Sequence, residues 1–296
     1  MMDQAEHLRN IIKQNTVRPT TVARIITITS GKGGVGKSNV AVNLAVKFQE
    51  LGKKVLIFDA DFGLANVEVM FGAVPKYNLS DIIYNGKSMS DVITYGANGI
   101  GFISAGSGIV SMRNIDNSQL SYLSHSLASL DYLADTILID TGAGISDSVM
   151  EFVMAGTEIL LVVTNEPTSL TDSYSLLKAM SLNPKYNKND CRVKVIANKV
   201  TSVEEGELVY KKLESVVKQF LNVNMEFQGI IPYDINLVRA VREQNPVSIY
   251  MPNSISSKAF ESLAKRLINE EEYMPEKTTR ESISSILLRM FKKRSM

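Results

Sequence analysis

A single cysteine, Cys191, occurs among the 296 residues. One thiol can form neither an internal disulfide nor a Cys-x-x-Cys metal or iron–sulfur site, which fits a reducing compartment. No activating neighbour flanks it, so it reads as a passive, partly buried side chain. Long apolar runs are also missing. No stretch approaches the roughly 18 apolar residues of a transmembrane helix, and the first thirty residues lack the continuous apolar core of a signal peptide. Any meeting with a membrane is therefore expected from its surface. Charge of one sign is not in excess: 32 basic against 31 acidic residues leave +1, so no specific nucleic-acid binding is expected. The two histidines, His7 and His125, sit near no nucleophile motif, which leaves serine or cysteine hydrolase chemistry without support. Internal repeats and low-complexity tracts are absent. What is present is ample apolar content, 45%, enough for a sizeable core.

Three zones follow one another. Residues 1–21 are polar and end in a Thr-Val-Arg-Pro-Thr-Thr stretch with the character of a linker. Within them, residues 4–14 can form one short helix with Ala5, Leu8, Ile11 and Ile12 on a single face. Residues 22–269 alternate short β-branched runs with helical patterns. Strands are expected at 25–29, 55–58, 101–104, 136–139, 159–163, 193–197 and 228–231, and helices at 38–50, 118–133, 170–180 and 204–220. Most of the strand segments are continuously apolar, as strands covered on both faces should be. The repetition predicts a single doubly wound α/β domain with a mainly parallel sheet. Residues 270–296 begin as a charged linker and end in a second amphipathic segment.

The first strand runs into Ser30-Gly-Lys-Gly-Gly-Val-Gly-Lys-Ser38 and then into a helix. Strand, glycine-rich loop and helix together are the setting of a phosphate-binding loop. Gly31, Gly33, Gly34 and Gly36 let the backbone around Val35 fold about an anion, and the helix start adds its positive end. Lys37 is placed to hold the β- and γ-phosphates, and the Ser38 hydroxyl to ligand Mg²⁺. Lys32 is an extra lysine, and with it the run resembles the deviant Walker A motif of the MinD/ParA family. That resemblance implies a P-loop ATPase fold, ATP as nucleotide, and a homodimer in which Lys32 reaches the partner's phosphates. A cation supplied in trans would neutralise the facing triphosphates and stabilise charge in the transition state.

Two carboxylates, Asp59 and Asp61, lie just past the strand 55–58, at the end that faces ligands in such sheets. Asp59 reads as a magnesium-side residue. Asp61 resembles the family aspartate that positions the attacking water; the alternative is a cap on the following turn. Residues 63–66 would then form a first switch. Strand 136–139 delivers Asp140, in Walker B position, to the metal through water, and the turn after it forms a second switch. Many relatives carry a proline there, whereas this chain has Thr141-Gly-Ala-Gly, which points to a subgroup. Asn198 resembles the residue that reads the adenine edge, and the backbone of Pro232, Tyr233 and Asp234 would pack on the base. Both motifs are also ordinary turn material.

The two ends add the rest. Ile283, Ile286, Leu287, Met290 and Phe291 fall on one helical face beside Arg289, Lys292, Lys293 and Arg294. A basic amphipathic helix is what an interfacial anchor needs, and this one resembles the MinD-type membrane-targeting tail. Its other reading is a helix docked in a groove of its own domain or on a partner. Each basic residue near an anionic leaflet contributes about 1 kcal/mol, so one tail is marginal and two on a dimer gain from effective concentration. At the start, Asp3-Gln4-Ala5-Glu6-His7-Leu8-Arg9 resembles the activator motif of FlhG proteins, MinD-like ATPases that set flagellar number and placement. The resemblance runs from Asp3 to Arg294. It implies stimulation of the GTPase FlhF through Gln4, contact with flagellar basal-body proteins, and peripheral residence on the inner leaflet of the cell membrane. A division-site MinD and a ParA-like DNA-partition ATPase are the alternatives.

Overall fold

The computed structural model describes residues 22–61, 66–104, 117–156, 158–189, 191–272 and 282–294. Eight strands form one sheet: β1 (Arg24–Thr29), β2 (Val55–Ala60), β3 (Thr94–Tyr95), β4 (Gly101–Ser104), β5 (Thr136–Thr141), β6 (Glu158–Val163), β7 (Arg192–Val200) and β8 (Met225–Pro232). The helices are α1 (Lys37–Glu50), α2 (Asn66–Phe71), α3 (Leu79–Tyr84), α4 (Met89–Val92), α5 (Asn117–Ala128), α6 (Leu130–Leu133), α7 (Asp147–Ala155), α8 (Pro167–Ser181), α9 (Val203–Phe220), α10 (Ile235–Arg242), α11 (Val247–Tyr250), α12 (Ile255–Glu272) and α13 (Ile283–Arg294). Strand order is β3-β4-β2-β5-β1-β6-β7-β8. Among the described residues only the β3–β4 pair is antiparallel.

The central strands are buried along their whole length, because helices cover both faces. On one face α1 and α12 bring Leu44, Phe48, Phe260 and Leu267 onto Ile26 and Leu138. On the other, α7, α8 and α9 bring Val153, Leu176 and Val209 onto β6 and β7. A second cluster on that side gathers Ile82, Leu123, Leu127 and Phe152 over Ile25, Phe58 and Ile139. Order β2-β5-β1-β6 places β1 between the two halves. The loop after β1 therefore opens at the switch point, where a parallel sheet forms its ligand crevice.

The structure departs from the sequence reading in three places. The helix expected over 118–133 is two, broken at Ser129, whose hydroxyl bonds back to Ser126 O at 2.6 Å. The antiparallel edge strand β3 has only two residues, too few to leave an alternation pattern. The charged stretch read as the start of a linker at residue 270 begins inside a helix. Helix α12 continues through Glu272, and Glu270 Oε2 accepts from Lys194 Nζ at 2.6 Å. Lys194 also donates to Glu158 (3.1 Å), which is held by both Nε and Nη2 of Arg24 at 2.7 Å. Arg24, Glu158 and Lys194 are buried, so their charges persist only because they are mutually paired.

The tail is likewise part of the domain here. Ile283, Ile286 and Leu287 are fully buried in the cluster with Leu123, Leu127 and Phe152. Arg289 Nε lies 3.6 Å from Glu151 on α7. Of the five residues expected to face lipid, these three face the protein in this state; the side chains of Met290 and Phe291 lie outside the described residues. Gln4 and the N-terminal motif also lie outside them, as do residues 63–65 of the expected first switch.

Candidate functional site

Between Thr29 and Lys37 the chain must turn about an anion-sized space, and its neighbours decide how. A Cβ on Gly31 would collide with the Asp172–Ser173 backbone of α8. Gly34 and Gly36 adopt φ of 75° and 103°, which side chains disfavour. Three loop carbonyls are bonded from outside the loop. Ser30 O accepts from Gly144 N (3.0 Å), Gly34 O from Lys199 Nζ (2.8 Å) and Val35 O from Asn198 Nδ2 (2.7 Å). Carbonyls drawn outward suit a loop that must present N–H groups to phosphate. Val35 is buried, whereas Gly33 and Gly34 form the exposed rim.

Lys37, at the first turn of α1, is buried, and burial pulls its pKa down against Asp140 and Asp61, which hold it up. Lys32 takes another course. Its Nζ donates to Glu166 Oε2 (2.5 Å) and Thr168 Oγ1 (2.8 Å) at the start of α8. That bond holds the Glu166 carboxyl below its usual range.

Asp59 and Asp140 are register partners on β2 and β5. Asp59 accepts from the N–H groups of Asp61 (3.1 Å) and Val67 (3.2 Å). Burial, aided by the charge of Asp140, pushes its pKa to about 8. Asp140 is fully buried, and burial lifts it to about 7 although Ser38 and Lys37 oppose. Neither of its oxygens has a hydrogen-bond partner of acceptable geometry. Two adjoining buried carboxylates, one of them unsatisfied, beside the Ser38 hydroxyl, form an oxygen donor set suited to Mg²⁺.

This has a pH consequence. Both folded pKa values lie above the unfolded carboxylate value near 4, so the native protein binds more protons between about pH 4 and 8. Without metal, stability should fall as pH rises through that window. Magnesium with nucleotide should flatten the decline. Melting temperatures from pH 5 to 8.5 check this, with Asp140→Asn expected to weaken the slope; an unchanged slope in that variant removes the assignment.

Asp61 receives a hydrogen bond from Asn66 Nδ2 at 3.2 Å. A Cβ on Gly142, in the turn after β5, would sit 3.7 Å from Asp61 Oδ1. Asp61 and the turn after β5 are thus adjacent. That turn is fixed by Thr141, whose hydroxyl bonds to Ile28 O at 3.0 Å.

In the expected adenine region, Asn198 is buried and bonded to the phosphate loop, coupling that loop to the end of β7. The side chain of Asp234 is committed elsewhere: it accepts from Asn236 N (2.9 Å), Ser256 N (3.1 Å) and Ser256 Oγ (2.7 Å). Burial works against its charge, yet these bonds hold its pKa below the usual range. Only the backbone of Asp234 is left for a base. Tyr233 has an exposed ring, and Pro232 is half-buried. Sequence reasoning missed Lys199, Glu166 and Thr168. Lys199 carried a signal, since it directly follows Asn198; the other two are brought to Lys32 only by the packing of α8. Cys191 is half-buried and His125 is exposed.

Residues 26–247 match the family model described as the CobQ/CobB/MinD/ParA nucleotide binding domain. The antiactivator FleN of Pseudomonas aeruginosa is 41% identical, over 82% of this chain and 86% of FleN. The flagellum site-determining protein YlxH of Helicobacter pylori is 31% identical over 99% of both chains. Among solved structures, the septum site-determining protein MinD of Pyrococcus horikoshii, complexed with Mg-ADP, has a TM-score of 0.63 and 26% identity, covering 84% of this chain and 97% of that one. With a family model matched over residues 26–247 and a relative 41% identical over 82% of its length, the chain belongs to the CobQ/CobB/MinD/ParA family of nucleotide-binding proteins.

Proposed function

We propose that the chain is an ATP hydrolase of the deviant Walker A type that cycles between a monomer and an ATP-bound membrane dimer. In that cycle it regulates flagellar number and placement and stimulates the GTPase FlhF through Gln4. The flagellar reading, rather than a division-site one, is supported by the likeness to the flagellum site-determining protein YlxH, which runs over 99% of both chains. The Asp59–Asp140 pair carries the nucleotide reading. Ser38, Asp59 and Asp140 would hold Mg²⁺, which supplies charge neutralisation across the phosphates. Lys37 grips the β- and γ-phosphates from within the loop. Asp61 orients the attacking water and accepts its proton.

Lys32 is the link to the dimer. Its ammonium rests on Glu166 and Thr168 in the single chain. This exposed pair is weak and readily exchanged for a triphosphate on a second subunit. Arg289 and the apolar face of α13 are stored against the domain until dimerisation, then released toward the inner leaflet. Basal-body proteins are the partners expected there.

Sedimentation with a non-hydrolysable ATP analogue and magnesium tests the reading. A dimer is expected for the wild-type chain and single subunits for Lys32→Ala. A wild-type chain that stays monomeric defeats the proposal.

A further inference from the structure

We infer that the two ends of this chain compete for one groove, the segment around Leu8 replacing α13 when that helix leaves. The groove lies between α5 and α7, where α13 inserts Ile283, Ile286 and Leu287 among Leu123, Leu127 and Phe152. Those three residues have the spacing i, i+3, i+4. Leu8, Ile11 and Ile12 repeat it.

The described chain also begins beside this groove. Ala23 belongs to the same apolar cluster as Ile283, and its N–H donates to Asp131 Oδ1 of α6 at 3.3 Å. Arg24 N then bonds to Asp135 O at 2.8 Å. Ten residues, 13–22, separate Ile12 from Ala23, and extended they span up to about 35 Å. Helix α13, with 12 residues, is only about 18 Å long, so the reach is sufficient.

Physical need supplies the rest. An emptied groove presents a contiguous apolar patch to water, which a soluble surface rarely tolerates. Pairing Leu8 with Ile283, Ile11 with Ile286 and Ile12 with Leu287 sets the order of preference. Arg9 then falls where α13 carries the buried Ser284. Burying a guanidinium edge there is costly, so the N-terminal segment is the weaker occupant and enters only after α13 has gone. Lys13 falls one position from the place of Arg289 and brings the charge that suits Glu151. Resting on the functional reading above, the consequence is that Gln4 is available to its GTPase partner while α13 is docked. It is withdrawn once α13 is on the membrane.

The test uses the full-length chain with p-benzoylphenylalanine at position 8, irradiated without nucleotide or lipid, and peptide mapping of intrachain products. Ile286→Asp expels α13. Crosslinks from position 8 to residues 117–133 or 147–155 should then rise several-fold over the chain with the native tail. Adding Ile11→Asp should abolish them. Should Ile286→Asp unfold the chain, Arg289→Glu, which sets like charges against each other at Glu151, makes the same comparison. Equal yields with and without the tail substitution overturn the inference, as do crosslinks mapping to other surfaces or to a second copy. No arm contains ATP or lipid, so its failure is distinct from failure of the membrane reading, which vesicle binding tests.

Discussion

Replacing Asp61 by alanine is expected to lower ATP turnover by about 10²–10⁴-fold, the usual contribution of a positioned general base. Nucleotide binding and the ATP-dependent dimer should survive. Asp61 is separate from the buried pair that would hold the metal. It carries a side-chain bond from Asn66 and lies against the Gly142 turn, whereas Asp59 and Asp140 sit deeper on neighbouring strands. Its removal therefore takes away water positioning without removing an expected metal ligand. Single-turnover hydrolysis, read beside nucleotide affinity and sedimentation, separates these effects. Unchanged turnover eliminates the water-positioning role. Loss of affinity in step with turnover would instead make Asp61 a ground-state binding residue.

Deleting residues 280–296 is expected to abolish ATP-dependent binding to anionic vesicles while nucleotide affinity stays within a few-fold. The candidate nucleotide site lies at the carboxyl ends of the strands, and none of its expected residues comes from α13. The deletion should also cost stability. Ile283, Ile286 and Leu287 are fully buried, and each such side chain contributes about 1.5–3 kcal/mol as an upper bound. An N-terminal segment entering the vacated groove would offset part of that loss. Denaturant titration measures the stability change, and vesicle flotation measures the anchor. Vesicle binding that persists without the tail places the anchor elsewhere.

Much of this molecule could be read before any coordinates. Apolar runs doubly covered by helices announce themselves as continuous Val, Ile and Leu, so β1, β5 and β6 were expected within one or two residues. The phosphate loop was legible because glycine spacing, strand and helix all lie within one stretch of chain. Asp59 and Asp140 each come directly after an apolar run, within β2 and β5, and Lys32 stands out by position alone. Long-range partners leave no such local trace. The Glu158 side chain joins Arg24, Lys194 and, through Lys194, Glu270, from four distant segments. Local polarity at residue 270 consequently gave no sign that α12 runs on to Glu272.

The sequence by itself determined the fold class and picked out the glycine-rich loop and the acids as a candidate site, since each follows from side chains near in sequence and from strand ends that face the crevice. Only the tertiary structure decided where Lys32 rests, what Asn198 grips, and that the tail's apolar face is stored in a groove. Amphipathicity states that a face must be covered, but a lipid surface and a protein groove satisfy that demand equally well. The covering surface is supplied by α5 and α7, more than a hundred residues away, and only their packing selects it.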